Sequence, residues 1–104
     1  MRLRRDPFHD VIARQLDLFV EDEADLLEEC REKYSAYERA PREDAEEAYG
    51  DFVDAVETAT EALADMRDRF ARTLDEDRAE TYEDSFNRAV RKRWSELGLE
   101  IENR

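Results

Sequence analysis

Only four residues of this 104-residue chain belong to the types that readily interrupt a helix: Pro7, Pro41, Gly50 and Gly98. Proline fits best at the first position of a helix, because its missing N–H breaks no hydrogen bond there. The two prolines therefore predict helix starts, Asp75 predicts the N-cap of a further helix, and Gly98 predicts a stop. The predicted helices span residues of about 7–39, about 41–73 and about 76–97.

The apolar residues recur every three or four positions, which places them on one face of a helix. The second predicted helix shows this best, with Ala45, Tyr49, Phe52, Val56, Ala59, Leu63, Met66, Phe70 and Leu74. A short break at Pro41 makes the first two helices antiparallel neighbours, and predicts that Cys30 lies opposite Phe52 and Tyr37 opposite Ala45. We therefore predict an all-α fold, in which a long antiparallel helical hairpin and a shorter third helix form an elongated three-helix bundle.

The length of the chain fits one helical domain over residues 1–104, with a short basic N-terminal segment at 1–6 and a C-terminal tail at 98–104. The tail alternates apolar and acidic residues, which is compatible with an extended segment or with fraying. No apolar run approaches the roughly 20 residues that span a membrane, so no membrane partner is expected. The start of the chain lacks the apolar stretch of a secretory signal, and the single cysteine, Cys30, suits a reducing cytoplasm.

The charge of the chain is −13 and is concentrated in its middle. Residues 17–65 contain 18 acidic and 4 basic side chains. A surface this acidic repels phosphate backbones, so nucleic acid is not an expected partner.

The third predicted helix is too short to cover the whole hairpin. It leaves residues of about 30–52, which we call the tip, with two helices and an apolar stripe that carries Tyr34, Tyr37, Tyr49 and Phe52. These rings either close the end of the hairpin against each other or form a surface for a partner protein. Tyrosine suits the second role, because its ring can be buried while its hydroxyl stays in water. The expected partner is a second copy of the chain, giving a homodimer, or another protein.

Three charged residues, Glu23, Arg67 and Arg93, lie on the predicted core lines and need partners, because burying an unpaired charge costs several kcal/mol. A third helix parallel to the first predicts that Glu23 pairs with Arg93, or failing that with Thr60. Arg67 on the second helix has Glu83 as its expected partner. A separate basic cluster, Arg88, Arg91 and Lys92, points outward from the third helix. It either offsets the acidic middle of the chain or binds an anion or an acidic partner segment.

One acidic pattern has a catalytic precedent. Glu28, Glu29 and Glu32 form an EExxE segment, and Ala48-Tyr49-Gly50-Asp51 follows on the next helix. The pattern resembles the carboxylate signature of the MazG-like all-α nucleotide pyrophosphohydrolases, with Ala48 in place of the first acid of the ExxD segment. The resemblance implies a Mg²⁺ ion held by Glu28, Glu32 and Asp51. Helical geometry turns all three carboxylates away from the seam between the two helices, which argues against one shared metal.

The favoured interpretation is therefore a non-enzymatic helical scaffold or interaction protein without a cofactor, metal or catalytic residue, which associates with itself. The alternative is a Mg²⁺-dependent nucleotide pyrophosphohydrolase of the MazG-like type. The two differ in whether the acidic side chains converge within about 5 Å of each other.

Overall fold

The structure is a computed structural model that describes residues 6–95 and 101–104. In these residues all regular secondary structure is helical, which confirms the predicted all-α class. The four α-helices described are α1 (His9–Asp22), α2 (Ala24–Arg39), α3 (Ala45–Ala71) and α4 (Glu76–Arg93). Short 3₁₀ turns occupy Arg42–Asp44 and Ile101–Asn103. Helix α4 ends at Arg93, short of the predicted end near residue 97, and the backbone of Trp94, with φ −125° and ψ 42°, is no longer helical. The N-terminal segment before Asp6 and the predicted stop at Gly98 lie outside the described residues.

The first predicted helix is divided at Glu23, so the prediction of one helix over 7–39 is wrong. The backbone of Glu23 has φ −116° and ψ 33°, which is not helical. The buried line of α1 ends with Phe19, and that of α2 begins with Leu27. Phe19 and Leu27 are eight residues apart, and eight residues of a helix make two full turns and about a further 80°. In a straight helix these two side chains would therefore point in different directions and could not both contact one neighbouring helix. The break lets α1 face α4 while α2 faces α3.

The turn between α2 and α3 is longer than predicted. Pro41 is extended, with φ −66° and ψ 162°, and a 3₁₀ turn separates it from α3. The pairing of the two helices consequently shifts by about one turn, and Tyr37 lies against Tyr49, with ring centroids 5.3 Å apart. Tyr34 similarly lies against Phe52 at 5.2 Å. The antiparallel hairpin is retained in this altered alignment.

Helix α4 packs against both α3 and α1. Its N-cap is Asp75 as predicted, and the Asp75 side chain accepts a 3.0 Å hydrogen bond from the Arg78 amide. The α4 direction is antiparallel to α3, because Tyr82 contacts Phe70 while Asn87 contacts Arg67. The same helix is parallel to α1, because Ser85 contacts Asp6 while Arg93 contacts Asp17.

The core lies where α1, α3 and α4 meet, and Tyr82 is its centre. This side chain is fully buried, and its ring contacts Phe8, Phe70 and Phe86. Its hydroxyl donates a 2.8 Å hydrogen bond to Oε1 of Gln15. The molecule measures 53 × 33 × 24 Å, and its radius of gyration is 15.9 Å, above the roughly 13 Å of a compact chain of this length. The four-helix chain is therefore less compact than is usual for its length.

The described part of the C-terminal tail is folded back onto the bundle, so an extended or frayed end is the wrong prediction for these residues. Ile101 is fully buried in the core. The guanidinium of Arg67 donates hydrogen bonds to the backbone oxygens of Ile101 at 3.2 Å and Arg104 at 2.7 Å. A buried cation on α3 thus holds the final turn of the chain in place.

The stability of this protein should fall at alkaline pH because of Tyr82. Burial raises the pKa of Tyr82 to about 12 from 10.0. The unfolded tyrosine ionises first, so this contribution is complete below about pH 10 and is lost as the pH rises toward 12. Urea unfolding across this range should show a steeper loss in the wild type than in Tyr82→Phe. Equal losses in the two proteins would contradict the assignment.

Candidate functional site

The tip exposes three aromatic rings in a preformed cluster. Tyr34, Tyr37 and Tyr49 are 37%, 36% and 50% exposed, and Phe52 is partly buried beneath them. Contacts between the rings link both helices, and Tyr49 also lies 6.5 Å from Phe52. The fourth large apolar side chain with comparable exposure among the described residues is Leu18 on α1. The rings therefore pack on each other and still present apolar surface to solvent.

The surroundings of these rings are acidic. Residues 30–52 contain seven acidic and four basic side chains, and all seven acids are exposed. The Glu38 carboxylate, through its charge and a hydrogen bond, raises the pKa of the Tyr34 hydroxyl. Beneath the rings, Cys30 is fully buried, and this burial raises the pKa of its thiol. A buried thiol of this kind is a core residue, because the reactive thiolate is disfavoured.

A second surface is a groove between α1 and α4, which we call the basic groove. It has a volume of about 700 Å³. Its apolar lining includes Ile12 and Leu16 from α1, with the small side chains of Ala13 and Ala89 beside them. Its charged lining comes mainly from α4, and consists of Arg88, Arg91, Lys92 and Arg93, with Asp6 and His9 at the start of α1. The structure thus brings the predicted basic cluster together with an apolar floor.

Three of the four cations that line the basic groove have an acidic contact among the described residues. Arg88 lies 3.5 Å from Asp6, Arg91 lies 2.9 Å from Glu102, and Arg93 lies 2.9 Å from Asp17. Their side chains remain 62%, 55% and 37% exposed. An arginine has five N–H donors, so one acidic contact leaves donors for a further acceptor. Lys92 is exposed and has no ion pair among the described residues.

Asp6 ties the start of α1 to α4 at the end of the groove. Burial alone would raise its pKa, but hydrogen bonds from the Ser85 hydroxyl and the Phe8 amide, with the charges of Arg88 and His9, lower it below the usual value. The carboxylate is therefore held ionised across the neutral range. It fixes the geometry of the groove and cancels part of the positive charge there.

Neither predicted pairing, Glu23 with Arg93 or Arg67 with Glu83, is found among the described residues. Arg93 pairs with Asp17 and is exposed, whereas Glu23 is only partly buried at the helix break. The alternative partner, Thr60, donates its hydroxyl to the backbone oxygen of Val56. The cause is a different core line on α4, which continues from Val90 to Trp94 and places the buried Trp94 ring 6.0 Å from Phe19. Burying this large ring displaces Arg93 to the surface.

Arg67 is buried as predicted, but Glu83 is not its partner. Its Nε donates to Asp68 and its Nη1 donates to Oδ1 of Asn87, both at 2.9 Å. Asn87 lies one turn beyond Glu83 on α4, so the actual alignment of α3 with α4 differs from the predicted one by about one turn. The backbone oxygens of the C-terminal turn supply the remaining acceptors.

The carboxylates of the possible metal site do not assemble. Glu28, Glu32 and Asp51 are all exposed on the outer faces of α2 and α3. Within residues 6–95 and 101–104, there is no group of three or more His, Cys, Asp or Glu side chains placed to hold a metal ion. This arrangement agrees with the helical geometry that turned these acids away from the seam.

The α1 half of the basic groove was missed by the sequence analysis. Ile12 and Leu16 are four residues apart and so lie on one face of the first predicted helix, but this spacing does not indicate a groove beside them. The sequence feature that could have indicated the groove is the small size of Ala13 and Ala89. Small side chains at facing positions on packed helices leave open space between the helices. Using this signal requires knowing that α1 and α4 face each other at these positions.

Comparison with family models, curated proteins and solved structures finds no match to this chain. In the described part of the chain, no helix combines the length and the apolar character needed to cross a bilayer.

Proposed function

We propose that this protein is a non-enzymatic helical interaction protein that associates with itself through its tip. The observation that carries the proposal is the exposure of Tyr34, Tyr37 and Tyr49 in one cluster. A contiguous exposed apolar patch on a small protein is typical of an interaction site, and tyrosine is enriched in such interfaces. The rings are already packed against each other, so little side-chain freedom remains to be lost on binding.

The bundle itself supports the same proposal. Helix α4 packs on α1 and on the C-terminal half of α3, which leaves the described residues of the tip with two packed helices. Two helices cover only one side of each apolar stripe, and a partner would cover the other. A third layer contributed by a second copy would bury the parts of the rings that now contact water.

The tip variant Tyr37→Glu should reduce self-association by at least tenfold, because a charged carboxylate would replace an apolar ring in the interface. The measurement is sedimentation equilibrium or light scattering over a range of protein concentrations. Tyr37→Phe should associate nearly as well as the wild type, because it keeps the ring.

Leu18→Glu is the matched control for this test, since it introduces the same charge at a comparably exposed apolar residue outside the tip. It should leave association unchanged, and circular dichroism should show equal helicity in all variants. A wild-type protein that has the mass of one chain at every concentration would refute self-association. If Tyr37→Glu and Leu18→Glu reduced self-association equally, the proposal that the interface lies at the tip would be refuted.

A further inference from the structure

The tip and the basic groove are complementary in charge and are carried by different helices. The groove is lined by Asp6 and by residues of α1 and α4, with none from α2 or α3. The tip of a chain therefore does not occupy the groove of the same chain. We infer that the acidic, tyrosine-bearing tip of one copy docks into the basic groove of a second copy. This inference rests on the proposed self-association and names the surface that receives the tip.

Charge argues against the simpler pairing of two tips. Each tip has an excess of three acidic side chains over basic ones. Pairing two such surfaces would bring like charges together in an interface that excludes water, where they repel most strongly. The groove, by contrast, concentrates four of the cations of a chain whose net charge is −13. These cations outnumber the one carboxylate in the lining, Asp6, so the groove suits an acidic segment.

The chemistry of the two surfaces also matches at the level of single side chains. Tyr49, the most exposed of the rings, has Glu46 one helical turn before it. A tyrosine ring entering the groove would meet an apolar floor at Ile12 and Leu16. The neighbouring carboxylate would meet the guanidinium groups on α4, and these groups can also stack on the ring face. Arg91 contacts a single acid, Glu102, and so retains donors for this second role, whereas the Arg93 guanidinium already lies 5.4 Å from the centroid of the Trp94 ring.

Such docking is compatible with a closed dimer. If two molecules lie antiparallel, each tip can meet the groove of the other, and the interface has two-fold symmetry. If the geometry does not close in this way, the same contact produces head-to-tail chains whose mass grows with concentration. In both assemblies every contact joins one tip to one groove.

A mixing experiment tests this contact. The tip variant carries Tyr37→Glu and Tyr49→Glu, and the groove variant carries Arg91→Glu and Lys92→Glu. We expect each variant alone to associate at least about tenfold more weakly than the wild type. An equimolar mixture should associate more tightly than either alone, because it contains one intact tip and one intact groove. Labelling one variant with a fluorophore allows sedimentation to detect the mixed species directly.

The controls separate this inference from the proposed function. Arg69→Glu with Arg72→Glu makes the same charge change at exposed positions at the end of α3 and just beyond it, outside the groove, and should associate as the wild type does. Lys92→Glu alone provides a milder groove variant if the double variant does not fold. A groove variant that associates normally while the tip variant does not would overturn the inference and leave self-association through the tip intact. A mixture no tighter than its components would also overturn the inference, whereas a monomeric wild type would overturn both proposals.

Salt provides an independent readout on the wild-type protein. Raising the ionic strength screens attraction between the tip and the groove, so association should weaken. Pairing of two acidic tips would respond in the opposite direction, because salt screens their repulsion. Association that strengthens with added sodium chloride would therefore overturn docking in the groove.

Discussion

A protein in which methionine replaces Arg67 should have a free energy of unfolding about 3 kcal/mol below that of the wild type. Arg67 is nearly inaccessible, with a side chain only 5% exposed. Its guanidinium donates four hydrogen bonds: to Asp68, to Asn87 and to the backbone oxygens of Ile101 and Arg104. Hydrogen bonds to charged groups are among the stronger ones in proteins, and methionine replaces none of them.

The loss is expected whichever way the molecule relaxes. If the C-terminal turn stays in place, the Asn87 and Ile101 oxygens lose a donor in a buried environment, which costs about 1–3 kcal/mol for each unsatisfied group. If the turn detaches, Ile101 leaves the core, and exposing such a side chain costs about 1.5–3 kcal/mol. Both routes lead to a similar reduction in stability.

Urea unfolding of Arg67→Met measures this loss, and Arg69→Met serves as the matched control because Arg69 is exposed on the same helix. The control should change stability by no more than about 0.5 kcal/mol. Carboxypeptidase should also remove C-terminal residues faster from Arg67→Met than from Arg69→Met. Equal stability of the two variants would show that Arg67 does not fasten the C-terminal turn.

Helical periodicity correctly predicted the all-α class, because burial along one face of a helix depends on local spacing. Apolar residues at steps of three and four identified the line that carries Tyr49 and Phe52, and Pro41 located the turn. The alignment was about one turn in error because the chain extends at Pro41 and forms a 3₁₀ turn before α3 begins. That detail depends on the conformation of three connecting residues, for which periodicity contains no information.

The break at Glu23 shows a different limit. No proline or glycine lies near it, so the usual sequence signals for a helix end are missing. The acids Glu21, Asp22, Glu23 and Asp25 interrupt the apolar pattern, but solvent-exposed helix faces often contain such runs. The decision between a straight and a broken helix rests on whether Leu27 and Phe19 face the same neighbour, which is a matter of tertiary packing.

The partners of Arg67 and the basic groove could not be derived from the sequence for a related reason. Two of the Arg67 acceptors are backbone oxygens in a turn at the end of the chain, and backbone groups have no signature in the sequence. The groove depends on the relative positions of α1 and α4, which follow from the burial of Trp94 against Phe19. Choosing Arg93 instead of Trp94 as the core residue was enough to misplace the contacts between these helices.

Removing the ring of Tyr82 should be still more damaging than removing Arg67, because this ring joins three helices. Tyr82 contacts Phe8 beside α1, Phe70 on α3 and Phe86 on its own helix. Tyr82→Ala would leave a cavity that these neighbours fill only in part, at a cost of about 4 kcal/mol. A protein of this size has a total stability of about 5–15 kcal/mol, so the variant should be partly unfolded under mild denaturing conditions.

Tyr82→Phe distinguishes the contribution of the ring to stability from that of the hydroxyl. It keeps the packing and loses only the hydrogen bond to Gln15, so its unfolding free energy should fall by about 1 kcal/mol. The exposed Tyr49→Ala is the control for losing an aromatic ring outside the core, and should cost far less than Tyr82→Ala. Thermal unfolding followed by circular dichroism ranks the three variants. If Tyr82→Ala were as stable as Tyr49→Ala, the Tyr82 ring would not hold α1, α3 and α4 together. The position of the groove between α1 and α4 would then also be wrong.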